Sequence, residues 1–145
     1  VRKIVINHDD TDDVLQNIFI KIYRNIHKFN GDSKLYSWMY RIATNEAITF
    51  INQRARKNNS VSEEVQKTLI NNLTSDEYFD GDEVQIKLLK AIATLPQKQQ
   101  IVFNMKYFDA IKYKEMSEIL DTSEGALKAS FHIASKKIKE YLLNN

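Results

Sequence analysis

A chain of 145 residues, 43% hydrophobic and 28% charged, is long enough for one domain or two small ones and apolar enough to give each a core. The absence of cysteine excludes disulfides, thiolate metal sites and thiol nucleophiles, and no apolar run or leader pattern suggests a membrane span or export, so a soluble cytoplasmic protein is expected. The net charge of +2 hides an uneven distribution: Lys and Arg against Asp and Glu number 10 to 6 over residues 1–57, 1 to 6 over 58–82 and 10 to 7 over 83–145, so two basic blocks flank an acidic connector.

With three glycines and one proline the chain has few of the turn residues that hairpins need, and its abundance of Lys, Glu, Gln, Ile and Leu predicts an all-α fold. Val1, Ile4 and Val5 have the pattern of the end of an amphipathic helix whose earlier turns precede Val1. The run His8-Asp9-Asp10-Thr11-Asp12-Asp13 reads as a helix start, with Asp10 or Thr11 as N-cap and Asp12 and Asp13 in the first turn; no EF-hand or His-ligand spacing follows, so neither metal nor cofactor is expected. Leu15, Ile18, Phe19, Ile22, Ile26 and Phe29 then form an apolar stripe at helical spacing, with Gln16, Lys21 and Arg24 among the polar positions.

After Asn30-Gly31-Asp32, Ser33 is placed to cap a long helix reaching about Arg54, with Leu35, Met39, Ile42 and Phe50 facing inward. Tyr36, Trp38 and Tyr40 crowd one stretch of it, Arg41 and Asn45 stand about one turn apart, and Gln53 to Lys57 make its end basic. Aromatics beside cations suit single-stranded nucleic acid, where every base offers a face and every phosphate a charge. They equally suit a core with polar tips, and Trp38 reads as the nearer of the three to a core.

The segment 58–82 is rich in Asn, Ser, Asp and Glu with a weak helical stretch at about Val61 to Leu73, and reads as a linker. So long a connection inside one domain is uncommon; two small helical domains, 1–57 and 83–145, are therefore expected, a surface excursion within one domain being the alternative. In the second, Asp82 and Gln85 resemble a capping box for a helix with Val84, Leu88, Ile92 and Leu95, and Pro96 opens another with Ile101, Met105 and Phe108 on one side. Lys112 to Leu142 reads as a helix-turn-helix: Met116, Ile119 and Leu120 inward, Asp121 and Thr122 in the turn, Ser123 as N-cap, and a core stripe of Leu127, Phe131, Ala134, Ile138 and Leu142. The other side offers Glu124, Gly125, Lys128, Ala129, His132, Ser135 and Lys136 to a major groove.

These residues match a known pattern in order and spacing along almost the whole chain. Asp12 to Phe19 resembles a DLVQEVF-type helix; Phe29 to Ser33 with Ser37 to Asn45 is similar to FRGDS and TWLYRIAxN segments; Leu95 to Gln99, Tyr107-Phe108, Tyr113 to Leu120 and Ser123-Glu124-Gly125 resemble an LPEKQR, YF, YEEIAEIL and SEG series. The resemblance is to the extracytoplasmic-function (ECF) group of sigma-70 type factors, non-enzymatic subunits that direct promoter recognition, DNA melting and transcription initiation. It implies that core RNA polymerase meets Asp12, Asp13, Gln16, Asn17 and Lys21. It implies that the minus-ten element, partly as a flipped base, meets Phe29, Gly31, Asp32, Ser33, Tyr36, Tyr40, Arg41, Asn45, Arg54 and Arg56. The minus-thirty-five duplex would then meet Ser123, Glu124, Gly125, Lys128, Ala129, His132 and Lys136, and an anti-sigma protein is an implied partner.

Two departures bear on this. Ser130, Ile133 and Ser135 stand where relatives commonly carry arginine, and Ala126 where they carry threonine, so modest duplex affinity is expected. Lys112 stands at a usual capping Ser, so the following helix is expected to be less well capped. The competing reading is a dimeric helix-turn-helix regulator of a duplex operator with residues 1–57 as a dimerising or sensing module; such a protein has no need of a single-strand surface.

Overall fold

A computed structural model describes residues 1–31 and 34–145, which form two compact units, Val1–Asp80 and Gly81–Asn145. The described residues contain helices and no strand. The first unit holds α1 (Arg2–Val5), α2 (His8–Asn25), α3 (Leu35–Lys57) and α4 (Ser62–Asn71), with short 3-10 turns at Ile26–Lys28 and Leu73–Ser75. The second holds α5 (Glu83–Ala93), α6 (Gln97–Tyr107), α7 (Tyr113–Leu120) and α8 (Glu124–Asn144).

Helix α2 starts earlier than the sequence suggests. Asn7, not Asp10 or Thr11, is the N-cap, its side chain accepting the Asp10 N–H at 3.0 Å, so Asp9 and Asp10 fill the first turn while Asp12 and Asp13 stand exposed beyond it. The Thr11 hydroxyl bonds the Asn7 carbonyl at 2.7 Å and is buried. The turn into this helix is a tight γ-turn, Ile6 having φ 72° and ψ −56° with the Asn7 N–H on the Val5 carbonyl at 2.9 Å; burial of Val5 and Ile6 holds this strained link.

Val5, Val14, Ile18 and Ala47 form the centre of the first unit, with Leu15, Ile22, Ile42 and Phe50 against it. The stripe that α3 buries is Ser37, Thr44, Ala47, Ile51 and Ala55 rather than Leu35, Met39, Ile42 and Phe50; Leu35 is exposed and the other three half-buried. Small residues let the axes of α2 and α3 come close, which a pattern of large apolar residues cannot reveal. Phe19, assigned to the core stripe of α2, is instead 60% exposed, and Ile20, Tyr23 and Ile26 are exposed with it.

The stretch read as a linker folds onto this unit. Val65 joins Ile51 and Ala55 in a second apolar cluster, Ile70 and Leu73 are buried, and the Gln66 amide donates to the Ile4 carbonyl at 3.0 Å. Beyond α4, Arg2 pairs with Asp76 at 2.8 Å and the His8 and Tyr78 rings stack 3.7 Å apart. The Tyr78 N–H lowers the Asp76 carboxyl below its ordinary 3.8, partial burial opposes this, and Arg2 adds to the lowering.

In the second unit Asp82 caps α5 by accepting the Gln85 N–H at 3.0 Å, and Ala91, Ile92, Leu95, Phe103, Ala134 and Ile138 make the core. Val84, expected inside, is exposed on the first turn of α5. Pro96 is the N-cap of α6, a helix that buries Gln100, Val102, Phe103, Asn104 and Met105. Both polar atoms of the Asn104 side chain are buried without a hydrogen-bond partner. Asn104→Leu is therefore expected to stabilise this unit by about 1–2 kcal/mol, because it removes an unpaired buried amide at similar volume. A rise in the denaturant midpoint at constant slope measures it.

Candidate functional site

Four surfaces carry the chemistry. On α2, Asp12, Asp13, Gln16 and Asn17 are exposed, and the exposed Phe19, Ile20 and Tyr23 continue the surface toward the helix end. A hydrophobic pattern cannot tell a residue facing the core from one facing a partner, so sequence reasoning missed this apolar extension. Lys21, assigned to the same surface, pairs with Glu46 of α3.

The second surface joins the end of α2 to α3. Gly31 sits at φ +82°, a conformation that side-chain-bearing residues rarely adopt. Asp32 and Ser33, including the capping role of Ser33, lie outside the described residues; Lys34 occupies the N-cap position of α3. Phe29 packs its half-buried ring on Trp38 with centroids 5.5 Å apart. Trp38, Arg41 and Asn45 follow one another at spacings of 3 and 4, which places them on one side of α3, with Arg41 and Asn45 exposed. Tyr36 and Tyr40 pack on each other at 5.8 Å, about 140° around the helix from Arg41 and Asn45. The sequence-derived set therefore divides into two groups.

The third surface is the basic end of α3, where the structure separates the arginines. Arg54 is half-buried, pairs with Asp10 of α2 and lies 5.8 Å from the Phe50 ring centroid. Arg56 and Lys57 are exposed.

The fourth surface is the helix-turn-helix. Met116 and Ile119 are buried, Asp121 takes the left-handed conformation at φ 50°, and the Ser123 hydroxyl oxygen caps α8 by accepting the Ala126 N–H at 3.2 Å. Lys112 provides no side-chain cap to α7. Leu127, Ala134 and Ile138 are buried, Phe131 and Leu142 half-buried, and Glu124, Gly125, Lys128, Ala129, His132 and Lys136 are all exposed within one arc of about 140° on α8. The Lys106 and Lys128 ammonium groups lie 4.5 and 5.7 Å from the centroid of the same Tyr113 ring. This ring holds two cations close together, as a cation–π contact can.

An aromatic, amide and guanidinium group stand on one helical unit and a helix-turn-helix with an exposed basic arc on another, an arrangement chemically suited to a two-part DNA-binding protein. Residues 1–57 match the family model "Sigma-70 region 2" and residues 85–138 match "Sigma-70, region 4". The chain belongs to the sigma-70 family of RNA polymerase sigma factors, in its ECF group.

The chain is 25% identical over 142 residues to the ECF RNA polymerase sigma-E factor of Haemophilus influenzae, a match spanning 92% of this chain and 75% of that protein. It is 27% identical over 139 residues to the ECF RNA polymerase sigma-E factor of Escherichia coli K12, spanning 89% and 72%. Two solved structures share the fold. The sigma factor RpoE in complex with the anti-sigma factor NepR, from Bartonella quintana, aligns with a TM-score of 0.68 at 18% identity, over 97% of this chain and 86% of that one. CnrH in complex with the cytosolic domain of CnrY aligns at 0.70 and 16%, over 99% and 78%.

Proposed function

We propose that this ECF sigma factor, a subunit that binds core RNA polymerase and promoter DNA to start transcription, divides its work between its two units. In the first, Asp12, Asp13, Gln16 and Asn17 of α2 meet the polymerase together with Phe19, Ile20 and Tyr23. Phe29, Gly31, Trp38, Arg41 and Asn45 hold a base of the opened minus-ten element, and Asp32 and Ser33 are assigned to the same contact by the resemblance alone. Tyr36 and Tyr40 provide a second stacking surface, and Arg56 meets a phosphate. Lys21 and Arg54 serve mainly to hold α3 on α2 through their pairs with Glu46 and Asp10.

In the second unit, Glu124, Gly125, Lys128, Ala129, His132 and Lys136 read the minus-thirty-five duplex, with Ser123 setting the start of the reading helix. Lys128→Ala is expected to weaken duplex binding and lower the salt slope by about one, the signature of one lost phosphate contact. A titration at several salt concentrations measures this, and an unaltered slope removes Lys128 from the contact set.

The protein performs no covalent chemistry; it acts by binding the opened promoter better than the closed one. Its place is the cytoplasm, and an anti-sigma protein is among its partners, as NepR is for RpoE in the solved complex. Among the described residues no helix is long and apolar enough to cross a membrane.

The observation that carries this reading is the side of α3 on which Trp38, backed by Phe29, shares a stripe with the exposed Arg41 and Asn45. A duplex-only regulator has no use for such a surface. Binding to purified core polymerase, followed by fluorescence anisotropy, tests it. Saturation at sub-micromolar concentration, about −8 kcal/mol or tighter, is expected. A folded chain that fails to bind returns the case to the operator-binding regulator.

A further inference from the structure

Helix α8, assigned above to duplex DNA, contains no arginine. Its permanent cations are Lys128, Lys136, Lys137 and Lys139, and Lys137 donates to Gln99 of α6 at 3.2 Å, to one side of the reading arc. Between Lys128 and Lys136 the exposed residues on that arc are Ala129 and His132. His132 lies near the middle, one turn from each lysine. A methyl group forms no hydrogen bond, so His132 is the donor at the centre of the surface.

The charges around it come from three helices. On α8, Lys128 and Lys136 flank it, with Lys139 two turns beyond and Glu124 two turns before. From α7, the Tyr113 ring sits 5.7 Å from the Lys128 ammonium, and Lys106 of α6 approaches that ring at 4.5 Å. The α7 carboxylates Glu115 and Glu118 have partners of their own, and among the described residues none pairs with His132. Tyr107 of α6 reaches α8 through the stack of Phe103 on Phe131. Helix α5 meets α8 further along, where Lys87 donates to the Leu142 carbonyl at 3.2 Å.

A neutral imidazole has one N–H and one lone pair, whereas the imidazolium has two N–H groups. A duplex presents acceptors to this position: guanine N7 and O6 on the groove floor, phosphate oxygens along its walls. A lone pair turned on any of them is repelled; a second N–H gains a charge-assisted bond. Histidine is also the side chain whose ordinary titration falls between pH 5 and 8, so the exchange is available near neutrality.

We propose that His132 makes binding of the minus-thirty-five duplex proton-linked, the imidazolium being the form that holds an acceptor of the DNA. This rests on the assignment of α8 to that duplex. The complex retains the proton more firmly than the free protein does, so binding takes a proton up. Affinity is full where the free ring is already charged and falls as pH rises through neutrality.

The test uses the full chain bound to core polymerase and two fork-junction DNAs from a promoter pool selected with the unaltered chain. One carries the minus-ten element alone; the other adds the upstream duplex. The ratio of their affinities isolates the upstream contact from every other effect of pH. In the unaltered chain this ratio is expected to fall about 5- to 10-fold between about pH 6 and pH 8. His132 is exposed, so substitution there leaves the core alone. His132→Gln, which cannot charge, is expected to give a ratio that is low and flat. His132→Arg, charged throughout, should be flat and should exceed the unaltered chain at the alkaline end. A salt slope steeper by about one at the acid end places the ring on a phosphate, and an unchanged slope places it on a base edge. A flat ratio in the unaltered chain, or an equal fall in His132→Gln, would overturn the proton link. An upstream duplex that adds no affinity at any pH would instead overturn the assignment of α8 on which it rests.

Discussion

Gln16→Ala combined with Phe19→Asp is expected to abolish association with core polymerase while leaving the fold intact. Both residues are exposed on α2, Phe19 by 60%, so the new carboxylate meets water in the free protein and opens no cavity. At a docked surface the balance reverses. A buried phenylalanine contributes about 1.5–3 kcal/mol, and an unpaired carboxylate in its place adds a desolvation penalty. Together with the lost Gln16 amide this amounts to a loss of about 100- to 1,000-fold or more. Anisotropy with labelled protein measures the affinity, and an unchanged circular dichroism spectrum and melting temperature show that folding is not the cause. Binding within a few-fold of the unaltered chain would remove this face of α2 from the polymerase contact.

Asn45→Ala should separate the steps of initiation. Asn45 is exposed on the side of α3 that carries Trp38 and Arg41, and its amide can both donate to and accept from the edge of an extruded base. Removing it leaves edge groups of that base without partners, at about 1–3 kcal/mol, so open complexes should fall by roughly 10- to 100-fold. Core binding should be unchanged, because the surface proposed for core polymerase lies on α2. Permanganate reactivity of promoter thymines reports the melted state; unchanged reactivity would exclude Asn45 from the pocket.

The sequence carried the helical class and most of the second unit, because Leu127, Ala134 and Ile138 repeat at helical spacing and the caps at Asp82 and Ser123 are local signals. It failed where structure depends on distant partners. Arg54 read as part of a basic helix end, and neither its pair with Asp10, 44 positions away, nor the Lys21–Glu46 pair, 25 apart, was legible. Ser37 and Thr44 carried no hydrophobic signal, although the close approach of α2 and α3 buries both. The connector's polar composition concealed Val65, Ile70 and Leu73, which are few but sufficient to seat α4. For the site, residue types and their order were legible. The division of the α3 aromatics into two groups, and the exposure of Phe19, required a structure.

Helix α6 surrounds itself with the rest of its unit, burying Val102, Phe103 and Met105 together with Gln100 and Asn104. A helix-turn-helix excised from it would lose the surface on which α8 closes, so the second unit is expected to form and melt as a single cooperative step rather than as a DNA reader with an optional support. The amides at the centre of α6 then exchange their hydrogens only when the whole unit opens. Their exchange rate is a clock for global unfolding, and a duplex that binds the folded form slows it in proportion to its occupancy, although no residue of α6 need touch DNA.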